Sequence, residues 1–195
     1  MMKMIAVVAS VVGAVAGSAS AAQITFVHES SGSGTIGTQS FGATAPVNFT
    51  ITATGDTTAA QSFGDGFWID HVSASISIAG VGTFDILTGT RTFVYNLGQV
   101  VGFSRAGGTG LDLLNGPRLF PELGTWDMTT SLGPITGAGE ILQWNANPNI
   151  NTSGGVLFIN STPDATVTFS ATVVPAPGAV ALGGVALLGA SRRRR

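Results

Sequence analysis

Two histidines are the side chains best suited to acid–base chemistry in this sequence. His28 and His71 are the only histidines, and Asp70 directly precedes His71. A Ser–His–Asp arrangement needs a nucleophile held against the base, and the chain contains no Gly-x-Ser-x-Gly elbow. The local alternation of apolar residues puts His71 on the outer face of a strand, opposite Trp68. We therefore predict that the protein is not an enzyme and has no catalytic residues.

Carboxylates are the other candidates for catalysis. A glycoside hydrolase needs two of them at a set separation. The candidates are Asp56, Asp65, Asp70, Asp85, Asp112, Glu122, Asp127 and Glu140. Sequence spacing does not say which pairs meet, and most of these positions are typical of turns and solvated strand faces. A secreted hydrolase is therefore the third of our functional hypotheses.

Three aspartates suggest a calcium site. Asp56, Asp65 and Asp70 surround a glycine-rich loop, and calcium prefers carboxylate and backbone carbonyl oxygens. The chain has no Asp-x-Asp-x-Asp-Gly series, and Asp65-Gly66 is equally typical of a hairpin turn. Calcium is thus a candidate ligand of these three residues, and we predict no other cofactor.

Three tryptophans are candidates for contact with sugars, because an aromatic ring has an apolar face on which a sugar ring can stack. Trp68 and Trp144 fall within strand patterns and are assigned to the core. Trp126 lies in the loop-like segment 123–127. Trp126 is therefore predicted to be the exposed residue that contacts a glycan.

Period-two alternation dominates the middle of the chain and must position these residues. Segments 47–53, 68–78 and 167–173 alternate apolar with mostly Thr or Ser side chains, which is typical of half-buried strands. Glycine-containing turns separate many short strands. The pattern predicts an all-β body over residues 23–174, an antiparallel β-sandwich or jelly roll. The only substantial helices expected are a signal helix and a short C-terminal membrane helix.

Charge and cysteine content exclude several classes of protein. Residues 23–174 contain three arginines, no lysine and ten acidic residues, so the body carries a net charge of −7. Nucleic-acid binding needs clustered basic residues, so we predict no nucleic-acid partner. The chain has no cysteine, which excludes disulfides and cysteine-ligated zinc.

The N-terminal end has the three parts of a secretory signal peptide. Lys3 precedes an apolar run from Ile5 to Ala16, and small residues follow up to Ala22. We predict a signal peptide over residues 1–22, removed by signal peptidase after Ala22. The alternative is a buried N-terminal helix of the mature fold.

The C-terminal end, residues 175–195, also has three parts. It reads Val174, Pro175, Ala176, Pro177 and Gly178, then an apolar run from Ala179 to Ala190, then Ser191 and Arg192, Arg193, Arg194 and Arg195. A helix over 178–191 would be about 21 Å long, which is short against a hydrocarbon core of about 30 Å. The arginine cluster would hold this end in the cytoplasm, with the body outside.

This tail resembles the PEP-CTERM sorting domain, in the Pro-Ala-Pro form common in planctomycete-like bacteria. Ala176 stands where the family has Glu. The resemblance implies recognition by an exosortase, a membrane sorting protease that cuts near the proline motif. It also implies a setting of biofilm and exopolysaccharide export. The competing interpretation is a permanent membrane tail.

The sequence thus predicts a protein transiently anchored in the membrane and sorted to the cell envelope, the outer surface or the extracellular space. Our first hypothesis is a non-enzymatic protein of the cell envelope, extracellular matrix or biofilm that contacts exopolysaccharide. The alternative is a calcium-assisted carbohydrate-binding module.

Overall fold

The computed structural model describes residues 22–107, 111–145 and 149–174. The predicted signal peptide lies outside these residues except for Ala22, and so does the sorting tail except for Val174. The predicted terminal helices, Pro175, Ala176, Pro177, Gly178 and the cluster Arg192, Arg193, Arg194 and Arg195 are therefore not described.

The described chain is all-β, as the alternation predicted. Its strands are β1 (Gln23–Gly32), β2 (Gly34–Ile36), β3 (Gln39–Phe41), β4 (Val47–Asp56), β5 (Gln61–Phe63), β6 (Gly66–Asp70), β7 (Ser73–Ile78), β8 (Gly82–Asp85), β9 (Thr90–Tyr95), β10 (Val100–Arg105), β11 (Asp112–Arg118), β12 (Leu132–Ile141), β13 (Ile150–Thr152), β14 (Gly155–Ile159) and β15 (Thr162–Val174). The helical elements of this part of the chain are two 3-10 turns, Thr57–Ala59 and Pro121–Gly124. Over the ranges the structure covers, no helix has the length and apolarity needed to span a bilayer.

Eleven strands form one antiparallel sheet in the order β5-β6-β9-β10-β11-β12-β15-β1-β4-β7-β8. Two residue pairs, Leu114 with Ile141 and Asn115 with Glu140, join β11 to β12. The sheet folds over at this join, since Phe103 of β10 packs edge-on against His28 of β1, with ring centroids 5.8 Å apart. We call β5-β6-β9-β10-β11 the short layer and β12-β15-β1-β4-β7-β8 the long layer. Together they form a sandwich-like arrangement.

A second sheet, in the order β13-β14-β2-β3, covers the rest of the long layer's inner face. Its residues Ile36 and Leu157 share a core cluster with Ile51 and Ile76 of the long layer. A second cluster fills the space between the two layers and includes Phe26. The long layer therefore supports both covering sheets.

Two of the predicted strand segments keep the expected faces. Phe49, Ile51 and Ala53 of β4 are buried, and so are Val167 and Phe169 of β15. The intervening residues of both strands are mainly Thr and Ser and are not buried. These strands form because one face removes apolar surface from water, while hydroxyl side chains satisfy the other.

The predicted continuous strand over 68–78 is wrong. The chain forms β6 and β7 as separate strands, and Val72 between them is 81% exposed. In β6 the buried side chain is that of Ile69, whereas in β7 the buried side chains are those of Ala74, Ile76 and Ile78. The break therefore moves the buried side chains from an odd-numbered position in β6 to even-numbered positions in β7.

Candidate functional site

Four aromatic side chains lie on the outer face of the short layer. They are Phe63 of β5, Trp68 of β6, and Phe93 and Tyr95 of β9, and we call them the aromatic platform. Trp68 pairs with Phe93 across the strands, and Phe63 lies beside Trp68 with ring centroids 5.4 Å apart. All four are half-buried and line one open depression of about 490 Å³. A cluster of large aromatic rings on the outer face of a sheet is typical of a surface that binds a ligand or another protein.

Glycines allow platform rings to lie flat on the sheet. A Cβ on Gly102 would lie 2.4 Å from the Phe93 ring, and one on Gly98 would lie 2.6 Å from the Tyr95 ring. A Cβ on Gly66 would lie 2.2 Å from the Val94 carbonyl oxygen and 2.8 Å from the tip of the Phe63 ring. A side chain at Gly98 or Gly102 would require the ring to move, and one at Gly66 would also collide with backbone. The rings therefore lie across bare backbone and can offer their faces to a ligand.

Polar side chains border the platform beside the aromatic rings. Arg91 forms an ion pair with Asp70, with Nε 3.0 Å from Oδ1, and its guanidinium lies 5.2 Å from the centroid of the Trp68 ring. This cation–π contact and the ion pair fix Arg91 beside the depression. Ser104 pairs with Asp112 in the next two strands and both line the depression. The lining of the depression therefore includes both apolar rings and hydrogen-bonding groups.

Asp112 and Asn115 form the polar wall of the depression on β11. Asn115 donates a hydrogen bond from Nδ2 to Oδ2 of Asp112 at 3.2 Å. Burial raises the pKa of Asp112 above its ordinary value, the bond from Asn115 opposes this shift, and the nearby Glu140 carboxylate adds to it. Glu140 itself pairs with Arg118 at 3.4 Å. Carboxylate and amide groups side by side can accept and donate hydrogen bonds to neighbouring hydroxyls.

The two histidines lie inside the sandwich and do not meet Asp70. The prediction that His71 occupies an outer face is wrong, because its ring packs between Phe26 and Phe103, 5.8 and 5.4 Å from their centroids. His28 is completely buried. The pKa of each is lowered to about 3, for His28 by burial and for His71 mainly by burial with smaller contributions from the charges of His28 and Arg91.

Two buried threonines complete this histidine network. His71 contacts Thr90 through Nδ1 and Thr92 through Nε2, both at 2.9 Å, and His28 Nε2 lies 3.2 Å from the Thr92 hydroxyl. His28 Nδ1 has no hydrogen-bond partner. A buried N–H without an acceptor is rarer than an acceptor without a donor, so the His28 proton belongs on Nε2 and donates to Thr92. Thr92 then donates to His71, which donates to Thr90. Both threonines are buried, whereas His71 is partly exposed.

The prediction that Trp126 is exposed is wrong. Trp126 is 5% exposed, packs edge-on against Phe169 at 5.7 Å, and donates from Nε1 to the carbonyl of Thr130 at 2.9 Å. Its ring face is therefore not available to a glycan. Trp144 is buried as predicted. Trp68 was assigned to the core, but it belongs to the platform.

The structure does not bring the three predicted calcium ligands together. Asp65 and Asp70 flank opposite ends of β6, roughly 16 Å apart at 3.3 Å per residue. Asp56 caps a 3-10 turn by accepting bonds from the Thr58 amide and hydroxyl. Asp70 is paired with Arg91. Within the ranges described above, no group of three or more His, Cys, Asp or Glu side chains is arranged to hold a metal ion.

Comparisons of the chain with protein-family profiles, with curated proteins and with solved structures found no match.

Proposed function

We propose that the body is a non-enzymatic protein of the cell envelope or extracellular matrix that binds glycan on the aromatic platform. The observation that carries this proposal is the set of rings lying over Gly66, Gly98 and Gly102. A sugar ring stacks on a flat aromatic face and directs its hydroxyls sideways. Arg91 and Asn115 line the same depression and supply hydrogen-bonding groups for those hydroxyls. A binding site of this kind needs aromatic surface with a few fixed polar groups.

The depression favours a sugar over an apolar ligand or an anion. The Asp112 carboxylate lines it, and the Arg91 guanidinium that also lines it is already paired with the Asp70 carboxylate. The body's net charge of −7 would repel an acidic polymer. An uncharged ligand rich in hydroxyls matches both the rings and the polar wall.

A glycan array probed with the purified protein tests this proposal. Tyr95→Ala is expected to weaken binding about tenfold or more, since one ring contact contributes around 1.4 kcal/mol. Gly102→Ala is expected to weaken it as well, because the new Cβ must displace the flexible Phe93 ring. Gly89→Ala is the matched control, since its Cβ would meet only Ala106 at an ordinary 3.5 Å.

The array also separates this proposal from the alternatives. Binding is expected to be unchanged by a chelator; binding that needs calcium would favour the calcium-assisted module instead. Cleavage of an arrayed glycan would favour a hydrolase, for which Asp112 and Glu140 are the neighbouring carboxylates. If no glycan on the array binds, and the protein forms a dimer that Tyr95→Ala dissociates, then the platform is an interface between copies of the chain. That result would refute glycan binding.

Export and sorting are a second part of the proposal. The signal-like leader and the PEP-CTERM-like tail support removal of residues 1–22 by signal peptidase and of the tail near Pro177 by an exosortase. The intact mass of the protein extracted from the cell surface is expected to match a chain from Gln23 to about Pro177. A mass that still includes Arg195 would support a permanent membrane tail.

A further inference from the structure

Two polar side chains lie next to each other in the platform depression. Ser104 of β10 pairs with Asp112 of β11, and both line the depression. We call them the polar pair. Paired residues of antiparallel strands lie about 5 Å apart, so neighbouring groups of one ligand can contact both. Arg91 pairs with Ser104 from the other side, but its guanidinium is held by the Asp70 carboxylate and the Trp68 ring.

An extra residue in β11 turns Asp112 towards the depression. Phe103 pairs with Leu114, but the next residue of β10, Ser104, pairs with Asp112. Leu113 is therefore an extra residue, and its side chain is completely buried, as is that of Leu114. Without it, the alternation of faces would place Asp112 on the inner side of the sheet. Bulges of this kind redirect side chains and are frequent beside active sites.

The polar pair has hydrogen-bonding capacity that the described residues do not use. Ser104 is 2% exposed, yet its hydroxyl makes no hydrogen bond to a residue that the structure describes. Asp112 accepts one side-chain bond at Oδ2, from Asn115. Within the same part of the chain, no group donates to its Oδ1 and no cation pairs with it. Buried polar groups normally have hydrogen-bond partners, so both members of the pair can bond with a ligand that carries hydroxyls.

One aromatic face lies beside the polar pair. The Phe93 ring lies over Gly102, where a side chain would collide with it. Gly102 and Ser104 lie on the same face of β10, two residues and therefore about 7 Å apart along the strand. A pyranose ring stacked on Phe93 would thus direct one of its edges at the polar pair.

We infer that the polar pair selects the sugar: one hydroxyl of a sugar unit donates to Asp112, and the adjacent hydroxyl bonds with Ser104. This inference rests on the proposed function and specifies its ligand class, which is a glycan containing a unit with two adjacent free hydroxyls. Adjacent hydroxyls are close enough to reach both members of the pair at once. A sugar that lacks one of them leaves a half-buried polar group without a partner, which weakens binding about tenfold or more.

NMR titrations with methyl β-glucopyranoside and two of its methyl ethers test the inference on the ligand side. The 6-O-methyl ether keeps three adjacent free hydroxyls, whereas the 3-O-methyl ether, of the same size, has no two adjacent ones. The parent glucoside and the 6-O-methyl ether are expected to bind equally well. The 3-O-methyl ether is expected to bind about tenfold more weakly, or weaker still.

Variants of the polar pair test it on the protein side. Asp112→Asn and Ser104→Ala are each expected to weaken binding of methyl β-glucopyranoside about tenfold and to reduce the difference between the two ethers. Asp164→Asn is the matched control, because Asp164 is an exposed aspartate on β15. This change should alter neither the affinity nor the difference between the ethers.

Each result decides the matter in one direction. Equal affinities for the two ethers would overturn recognition of adjacent hydroxyls, and unchanged binding in both Asp112→Asn and Ser104→Ala would overturn the role of the polar pair. If methyl β-glucopyranoside does not bind but an arrayed glycan does, and Tyr95→Ala abolishes that signal, the proposed function stands and this inference fails. If no glycan binds at all, the proposed function itself fails.

Discussion

Lowering the pH from 6.5 to 4 is expected to reduce the free energy of unfolding by about 5 kcal/mol, through His28 and His71. Their pKa values are about 3 in the folded protein and 6.5 in an unfolded chain. The unfolded state therefore binds more protons throughout this range. The stabilisation is fully present above pH 6.5 and is lost as the pH falls towards 3, at up to roughly 3 kcal/mol per pH unit for the pair.

Three aspartates also have shifted pKa values, but their effects differ in sign. The groups whose charges act on the pair are the histidines themselves and Arg91. Asp56 and Asp127 have lowered pKa values, chiefly because the hydroxyls of Thr58 and Thr129 donate to them. These aspartates act in the same sense, but only below their ordinary value of 3.8. Asp112, whose pKa is raised by burial, acts in the opposite sense.

Urea unfolding at a series of pH values measures this effect. The slope of the unfolding free energy against pH is expected to fall by about half in His71→Gln and to nearly vanish in the His28→Gln/His71→Gln double variant. The slope is the readout because both variants also lower the absolute stability. A wild-type free energy that stays constant between pH 7 and 4 would contradict the buried, neutral histidines.

Phe103→Ala is expected to destabilise the protein by about 3 to 5 kcal/mol. Phe103 is completely buried where the two layers meet. Its ring stacks on His71 at 5.4 Å and on Trp144 at 6.4 Å, and it contacts His28 edge-on. Its removal leaves a cavity beside three rings and also loosens the histidine network. The loss is a large part of a total stability that is typically 5 to 15 kcal/mol.

Chemical denaturation also measures the Phe103→Ala effect. Leu87→Ala is a suitable control, because an exposed side chain typically changes stability by less than about 0.5 kcal/mol. A Phe103→Ala midpoint shift no larger than that of the control would mean that Phe103 does not join the layers.

The sequence predicted β4 and β15 of the long layer well, because the two faces of these strands differ strongly in polarity. In β4 and β15 every inward position is apolar and nearly every outward one is Thr, Ser or Asn. Such a contrast specifies both the strand and its orientation. The antiparallel all-β class follows from the same pattern.

The platform was missed because β6 and β7 were read as one strand. Continuous alternation from Trp68 to Ile78 puts Trp68 inside and His71 outside. The break near Val72 moves the pattern by one residue, which exchanges the faces. In β9 the outward Phe93 and Tyr95 are large and mainly apolar, and the inward Val94 is apolar too. The polarity pattern therefore does not distinguish the two faces of this strand. A glycine beside three of the four rings was the clue, but strand pairing had to be known before it could be used.

Trp126 was assigned to the surface because its segment has the composition of a loop. The loop crosses the end of the core, and Leu123, Trp126 and Met128 all point inward from it. The composition of such a segment predicts that its backbone forms a loop, but it does not predict the direction of its side chains. The indole N–H finds the Thr130 carbonyl four residues away, so burial leaves no polar group without a partner.

The two ends of the body have a mechanical consequence. Gln23, where β1 begins, pairs with Val174, where β15 ends, and each of these strands has a neighbour on both sides. A chain held at Val174 while its ligand pulls on the platform would load β15 along its length. Its backbone hydrogen bonds to β1 and β12 would then resist together in shear, instead of opening one by one. Under the proposed anchoring, a pull on the body is therefore carried by two strand pairings at once.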